Sequence, residues 1–361
     1  MNTVTIALFA FLSSYLAIFA MKPVAIRAGL VDLPNQRKKH VGAIPLIGGI
    51  SIFSAVFVTA LLFFPIEKGL VTYLSCAAAI VMLGVIDDYR ELGVRVRLFI
   101  QTVIALVMMW GAESSISNLG NLVGLGDVQL GAFGYVFTVL AVIAAINAFN
   151  MIDGIDGLAG TMSLVAFSSV FILMLLNGVH QWSLLPLIIM STMLPYLAFN
   201  LGIKGHQNRK IFMGDAGSMF VGLSVIWLLM QGTQSAEMKV FNPVTALWII
   251  AVPLMDLVAI VIRRIKKGLS PFKPDRDHLH HVFMRIGFSS RRALFSIALF
   301  SMFLAAIGIT GDVMGVPEWA MMMLFILIFL GYLYCLMHAW KVARFVRTYL
   351  IKKKAKTQRK K

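Results

Sequence analysis

Charge is scarce in this chain. Asp, Glu, Lys and Arg together make up 13% of its 361 residues, and only 16 residues are acidic. Soluble domains carry about 25% charged residues, so the shortage excludes an ordinary set of water-facing domains. With 59% hydrophobic residues, it points to an integral membrane protein. Cysteine is nearly absent as well. Cys76 and Cys335 both lie in apolar runs, without a CxxC partner or metal-ligand spacing, and read as lipid- or core-facing filler. The N-terminus has no basic n-region, and its apolar run is long for a signal peptide and is followed by Lys22 and Arg27. It reads as a retained first span that starts outside. No internal repeat is visible, which counts against an inverted-repeat transporter.

What the chain does have is a series of apolar runs of about 20 residues, the length of a membrane-crossing helix rather than a barrel strand. They fall at 3–21, 44–64, 69–86, 98–112, 132–149, 158–177, 183–203, 215–231, 243–262, 293–311 and 319–340. The expectation is an all-α polytopic fold of eleven spans. Thirty of the 32 Lys and Arg lie in 22–43, 87–97, 204–214, 263–292 and 341–361, while only Lys68 and Lys239 fall on the other side. By the positive-inside rule the basic side is cytoplasmic, the N-terminus is outside and the C-terminus inside. The net charge of +16 is thus a record of topology. It is no sign of nucleic-acid binding, which would want aromatics among the basic residues. The chain divides into a multi-span unit, 1–340, and a basic tail, 341–361, that suits an anionic lipid surface. The one long outside connection, Ala112–Gly131, is rich in Gly, Ser and Asn; a small hairpin is expected there, without chemistry.

The unusual polar residues gather on the basic side. The central stretch is Asn150-Met-Ile-Asp153-Gly-Ile-Asp156-Gly157, set between two apolar runs. A carboxylate at mid-helix in lipid costs roughly 2.5–3.5 kcal/mol or more, so this window belongs at a membrane–water boundary. Asn147, Asn150, Asp153 and Asp156 recur every third residue, and Gly154 and Gly157 would let a bulky anion or ribose approach the backbone. Asp87-Asp88-Tyr-Arg90 closes the third span. Paired carboxylates suit Mg²⁺ or a proton-accepting base, and a solvated helix end is the plainer alternative. In Phe212-Met-Gly-Asp215-Ala-Gly-Ser218, Asp215 is either an N-cap or a metal ligand shared with phosphate oxygens. Asn200 can face the same space. His278, His280 and His281 lie in the longest basic loop, after Asp275 and Asp277; their spacing matches no zinc motif, which leaves phosphate or proton handling, or a polar loop. Lys39 and His40 before Pro45-Leu-Ile-Gly48-Gly49 suit an anion at a helix start or simply topology. Asp256, with Arg263 and Arg264 about two turns on, reads as an internal pair with a neighbouring helix. Acids at several span ends, ringed by cations, suit a divalent metal and a polyphosphate.

The strings DDYR at 87–90, NAFNMIDGIDGLAG at 147–160, FMGDAGS at 212–218 and DRDHLHH at 275–281 resemble the motifs of the polyprenyl-phosphate N-acetylhexosamine-1-phosphate transferase family, in the same order and over essentially the whole chain. Within that family the RKKH before PLIGG, the SPFKPDRDHLHH loop and PVTALWII resemble the branch that uses UDP-GlcNAc. The MraY branch has a plain HHH where this chain has His278-Leu-His280-His281, which argues against UDP-MurNAc-pentapeptide. The resemblance implies a Mg²⁺-dependent enzyme, with Mn²⁺ as a substitute metal. It would move GlcNAc-1-phosphate from UDP-GlcNAc to undecaprenyl phosphate in the bacterial inner membrane and prime O-antigen or a related glycan.

Carried over by position, the resemblance makes Asp215 the Mg²⁺ ligand and Asp87 the base on the lipid phosphate, with Asp88 beside it near metal or phosphate. Phe212 would stack on uracil, and Asn200 and Asp156 would line the uridine pocket, with Asn150 in the substrate site. Asp153, His278, His280 and His281 would contact or orient phosphates, and Lys39, His40 and Arg264 would bind substrate. Asn200 to Phe212 contains an insertion relative to the MraY branch. The partners implied are the two substrates and the bilayer, with no nucleic acid and with a homo-oligomer left open. Two other readings compete: the same chemistry on another UDP-sugar, and a transporter or flippase of an anionic solute, which would want charge near the bilayer midplane.

Overall fold

The computed structural model describes residues 2–34, 42–203, 205–206, 209–234, 239–271 and 278–338. Among these the chain is an all-α polytopic membrane protein. Its helices are α1 (Thr3–Ala28), α2 (Gly48–Phe63), α3 (Lys68–Arg90), α4 (Val94–Ala112), α5 (Phe133–Ile152), α6 (Leu158–Leu176), α7 (His180–Asn200), α8 (Gly214–Gln234), α9 (Pro243–Ile249), α10 (Ala251–Lys266), α11 (Leu279–Ile286), α12 (Ser290–Val313) and α13 (Glu318–Met337). Nine of them are long and apolar enough to cross a membrane, and the bent pair α9–α10 makes ten if it is one span.

That pair departs from the straight ninth run. The helix breaks at Ile250 and turns by 82°. Pro253 gives the physical reason: it has no N–H to continue a helix from α9, yet it is tolerated in the first turn of a new one. The expected span at 44–64 is also shorter than expected. Its first residues form β2 (Ile44–Pro45), which pairs antiparallel with β1 (Val31–Asp32), and α2 has 16 residues.

α8 is the axis of the bundle. Nearly nine-tenths of its apolar window is buried, and α2, α3, α5, α6 and α9 pack round it. Small residues permit the close approach. A Cβ on Gly49 would lie 2.1 Å from the Gly217 nitrogen, one on Gly84 2.2 Å from the Ala216 Cα, and one on Gly222 2.5 Å from the Ile146 Cα. In lipid, helices associate through packing of this kind rather than through a hydrophobic drive. α1 and α13 lie at the edge and expose large apolar side chains such as Leu12, Leu16 and Leu327.

The start of α8 is held from the side by the Pro45–Gly49 segment. Phe212 donates its N–H to the Pro45 carbonyl at 3.0 Å, and Gly48 and Gly49 donate theirs to Phe212 and Met213 at 2.9 Å each. The expectation of an anion at this Gly-Gly helix start is therefore corrected: its first N–H groups bind chain. At the far end of the bundle the connection after α4 forms the small hairpin expected there, with Asn118 opposite Gln129.

Candidate active site

The starts of α8 and α12, the ends of α3, α5 and α7, the turn at 153–156 and β1 surround a cavity of about 440 Å³. That is within the usual size of a small-molecule site. Its wall includes Asp88, Asn150, Asp153, Gly154, Asp156, Asn200, Lys210, Phe212, Gly214 and Asp215, with Asp32, Tyr196 and Ser290. Three segments distant in sequence thus bring the predicted Asp88, Asp153, Asp156 and Asp215 to one cavity, while Asp87 lies outside its lining.

The carboxylates are not equivalent. Asp88 accepts the N–H of Asp215 at 2.9 Å with one oxygen and that of Ala216 at 3.3 Å with the other. It caps α8 from a neighbouring helix, the role that the sequence offered to Asp215. Gly214, with φ +71°, brings the chain against Asp88 where a Cβ would lie 2.5 Å from its Oδ2. Asp215 is thereby left to face Asn150, whose amide donates to Asp215 Oδ1 at 2.7 Å and to Ser218 Oγ at 3.0 Å. Asp87 is buried. It accepts from the Leu92 N–H at 2.7 Å and from Arg97 at 2.8 Å. Asp87, Asp88 and Asp153 all act electrostatically on, or are acted on by, Asp215.

α5 ends at Ile152, so the three-residue row leaves the helix at Asp153, its C-cap. Burial and the nearby Asp215 and Asp156 push the Asp153 carboxyl up to about 7. Asp156 is exposed and pairs with Lys210 at 2.6 Å, and the Lys210 ammonium sits 5.1 Å from the Phe212 ring centre. The buried Asn200 accepts the Gly157 N–H at 2.6 Å and donates to the Ile211 carbonyl at 2.9 Å. It ties the floor of the cavity together through the backbone on both sides.

A second, apolar groove of about 370 Å³ runs between α4, α5 and α10. Leu98, Leu140, Ile143, Leu257 and Val261 form its walls; Arg97, Asn147, Asn150, Arg264 and His278 form its polar end. Asn150 belongs to both spaces. The histidines divide accordingly. His278 lines the groove. His280 is buried with its ring against Gly154, where a Cβ would lie 2.2 Å from Cε1, and burial with His281 and His278 nearby pushes its pKa down to about 3. His281 lies 4.2 Å from the His280 ring centre and lines neither space. Lys39 and His40, with Asp275 and Asp277, lie outside the described residues.

Lys210, Arg97, Asp32 and Tyr196 are site-lining residues that the sequence did not single out. Lys210 stands two residues before Phe212, and Arg97 reads in the sequence only as an inside charge. Among the described residues no three His, Cys, Asp or Glu side chains are gathered to hold a metal by themselves. A hard cation that also takes phosphate oxygens and waters needs only one or two carboxylates, and Asp215 and its neighbours, all oxygen donors with excess negative charge, fit that demand.

Residues 70–233, from α3 to α8, match the family model described as glycosyl transferase family 4. The chain is 45% identical over 353 residues to the undecaprenyl-phosphate alpha-N-acetylglucosaminyl 1-phosphate transferase of Yersinia pestis, covering 97% of this chain and 96% of the relative. It is 47% identical to the protein of that name in Salmonella typhi, covering 97% and 95%. For Haemophilus influenzae the values are 43%, 97% and 98%. With likeness of this degree along the whole length of both chains, the protein belongs to the family resembled by its motifs, the polyprenyl-phosphate N-acetylhexosamine-1-phosphate transferases of glycosyl transferase family 4.

Proposed function

We propose that this protein transfers GlcNAc-1-phosphate from UDP-GlcNAc to undecaprenyl phosphate, giving GlcNAc-pyrophosphoryl-undecaprenol and UMP, and so primes a cell-envelope glycan such as O-antigen in the bacterial inner membrane. The observation that carries this reading is the junction at Asn150. There a polar, carboxylate-lined cavity meets an apolar groove with a cationic end. A soluble nucleotide-sugar and a lipid phosphate need such a pair of spaces, open to each other where their phosphates react.

In this reading the uridine lies against Phe212, with Asp156, Lys210 and the loop held by Asn200 around it. The polyprenyl chain lies along Leu98, Leu140 and Val261, and its phosphate meets Arg97, Arg264 and His278. Asp87, held by Arg97, takes the proton of the lipid phosphate. An oxygen of that phosphate attacks the β-phosphorus of UDP-GlcNAc, a new P–O bond forms, and the bond to the bridging oxygen breaks as UMP leaves. Asp215, with Asp88 beside it, would hold Mg²⁺ or Mn²⁺, which neutralises charge on the phosphates when bound. Asp153 and the buried His280, with the half-buried His281 beside it, shape the turn beneath the phosphates. Counted with the short α2 and with α9–α10 as one, the spans are eleven. The N-terminus is then outside, the site cytoplasmic, and the chain divides into the unit 1–340 and an anchoring tail, 341–361.

The test is a labelled-sugar assay on the whole protein in detergent, with undecaprenyl phosphate and Mg²⁺. UDP-GlcNAc and UDP-MurNAc-pentapeptide are offered separately. Organic-extractable label and UMP release from UDP-GlcNAc alone, both lost with EDTA, are expected. Label from the pentapeptide donor alone would refute the donor, and label from neither would refute the reaction.

A further inference from the structure

Asp256 is buried in the second limb of the bent pair, eight residues before Arg264, and three groups converge on its carboxylate. His278 Nδ1 lies 2.8 Å from Oδ2, the Leu279 N–H donates to Oδ1 at 3.1 Å, and the Tyr332 hydroxyl donates to Oδ1 at 2.6 Å. His278 is itself nearly buried and lines the polar end of the apolar groove beside Arg264 and Asn150. A carboxylate behind Nδ1 fixes an imidazole's tautomer and its ring orientation. Here the carboxylate holds through Nδ1 a ring that lines the polar end of the groove. Tyr332 comes from α13, the edge helix, and packs with Ala259, Ile260 and Leu336 into a small cluster beside Met151. That cluster holds the hydroxyl in place.

We infer that Asp256 and Tyr332 are positioning residues that act through His278, and that His278 contacts the phosphate of the lipid substrate at the head of the groove. The inference rests on the reading of the groove as the seat of undecaprenyl phosphate. It gives α13 a part in lipid-phosphate recognition, although that helix lies far beyond the matched segment 70–233 and lines neither space.

The experiment uses the whole protein in detergent and reads the thermal midpoint as undecaprenyl phosphate is added, with undecaprenol as the control for the tail. A ligand that binds the folded state raises the midpoint with concentration. The wild type is expected to respond to the phosphate and not to the alcohol. His278→Gln and Asp256→Asn should each weaken the apparent affinity about tenfold, the usual size of losing the partner behind a working imidazole. The double variant should be no weaker than His278→Gln. Tyr332→Phe, which removes one hydroxyl and keeps the ring, should weaken affinity about threefold and carries the test if Asp256→Asn fails to fold. The midpoint rise given by UDP-GlcNAc should stay the same in every variant. Additive losses in the double variant, wild-type affinity in Asp256→Asn, or equal response to undecaprenol would overturn the inference. If the wild type binds lipid phosphate in this His278-dependent way yet transfers no sugar, the reaction proposed above falls and the positioning roles stand.

Discussion

The two ends of the bundle use polar side chains in opposite ways. At the far end Gln234 and Asp312 are consumed by their neighbours. Gln234 accepts the N–H groups of Ser117 and Asn118 and donates back to the Asn118 carbonyl. Asp312 accepts the Asn242 N–H and the Thr245 hydroxyl. At the cavity end, Asp87, Asp88 and Asp153 each interact electrostatically with Asp215. Only Asp88 has both oxygens taken by α8. Like charges brought together near lipid are costly to keep, and perturbed groups of this kind gather at functional sites. Acidity at a span end is therefore no sign of function by itself. Convergence on a shared space is.

The sharpest test of that contrast is to neutralise one convergent carboxylate. Asp87→Asn and Asp215→Asn should each cut sugar transfer on the order of a hundredfold, as loss of a preorganised charge at a reacting phosphate does. In Asp215→Asn the thermal midpoint should not fall, because like-charge repulsion is relieved, whereas Asp87→Asn also gives up the charge pair with Arg97 and its midpoint should fall. Retained turnover in either variant would remove that residue from the chemistry. A smaller loss, roughly tenfold, is expected for Gly154→Ala. Its Cβ would meet the His280 ring at 2.2 Å, so the histidine or the 153–157 turn must shift, and small misplacements at a reacting centre are expensive. Pairing it with His280→Ala should return part of the activity if that clash is the cause.

Much of this was legible in the sequence. Apolar runs separated by cation-rich loops fix the helical class, and a short window with Asn and two Asp beside lipid marks the site, because both signals are local. The missing parts are contacts between distant residues. Nothing near Asp88 says that it caps a helix 127 residues on. Asp256 reads rightly as an internal pair, but its partners, His278 and Tyr332, lie 22 and 76 residues away. Lys210 and Arg97 were hidden among topological cations, since a charge that obeys the positive-inside rule looks the same whether it lines a cavity or faces lipid headgroups. Pro253 was visible in its apolar run, yet whether proline kinks a span or starts a new helix is settled by packing.

Crowding at the cavity end also predicts a pH effect with a definite sign. The folded state holds the Asp153 proton up to about 7, against 3.8 for the ordinary group. Between those values the folded protein binds more protons than the unfolded chain, so stability falls as pH rises. In EDTA the thermal midpoint should drop from pH 5 to pH 8, and Asp153→Asn should flatten the slope. An unchanged slope would mean that water or ions screen the cluster.

The far end should answer differently. Asp312→Ala leaves the Asn242 N–H and the Thr245 hydroxyl without the acceptor that both now share, at 2.9 and 2.8 Å. Unsatisfied groups of this kind cost about 1–3 kcal/mol, so the thermal midpoint should fall. The KM for UDP-GlcNAc should not move, because among the described residues neither the cavity lining nor the groove lining includes Asn242, Thr245 or Asp312. A raised KM together with a lowered midpoint would show that the α9–α12 contact at the far end sets the geometry of the site, and the division of labour between the two ends would have to be given up.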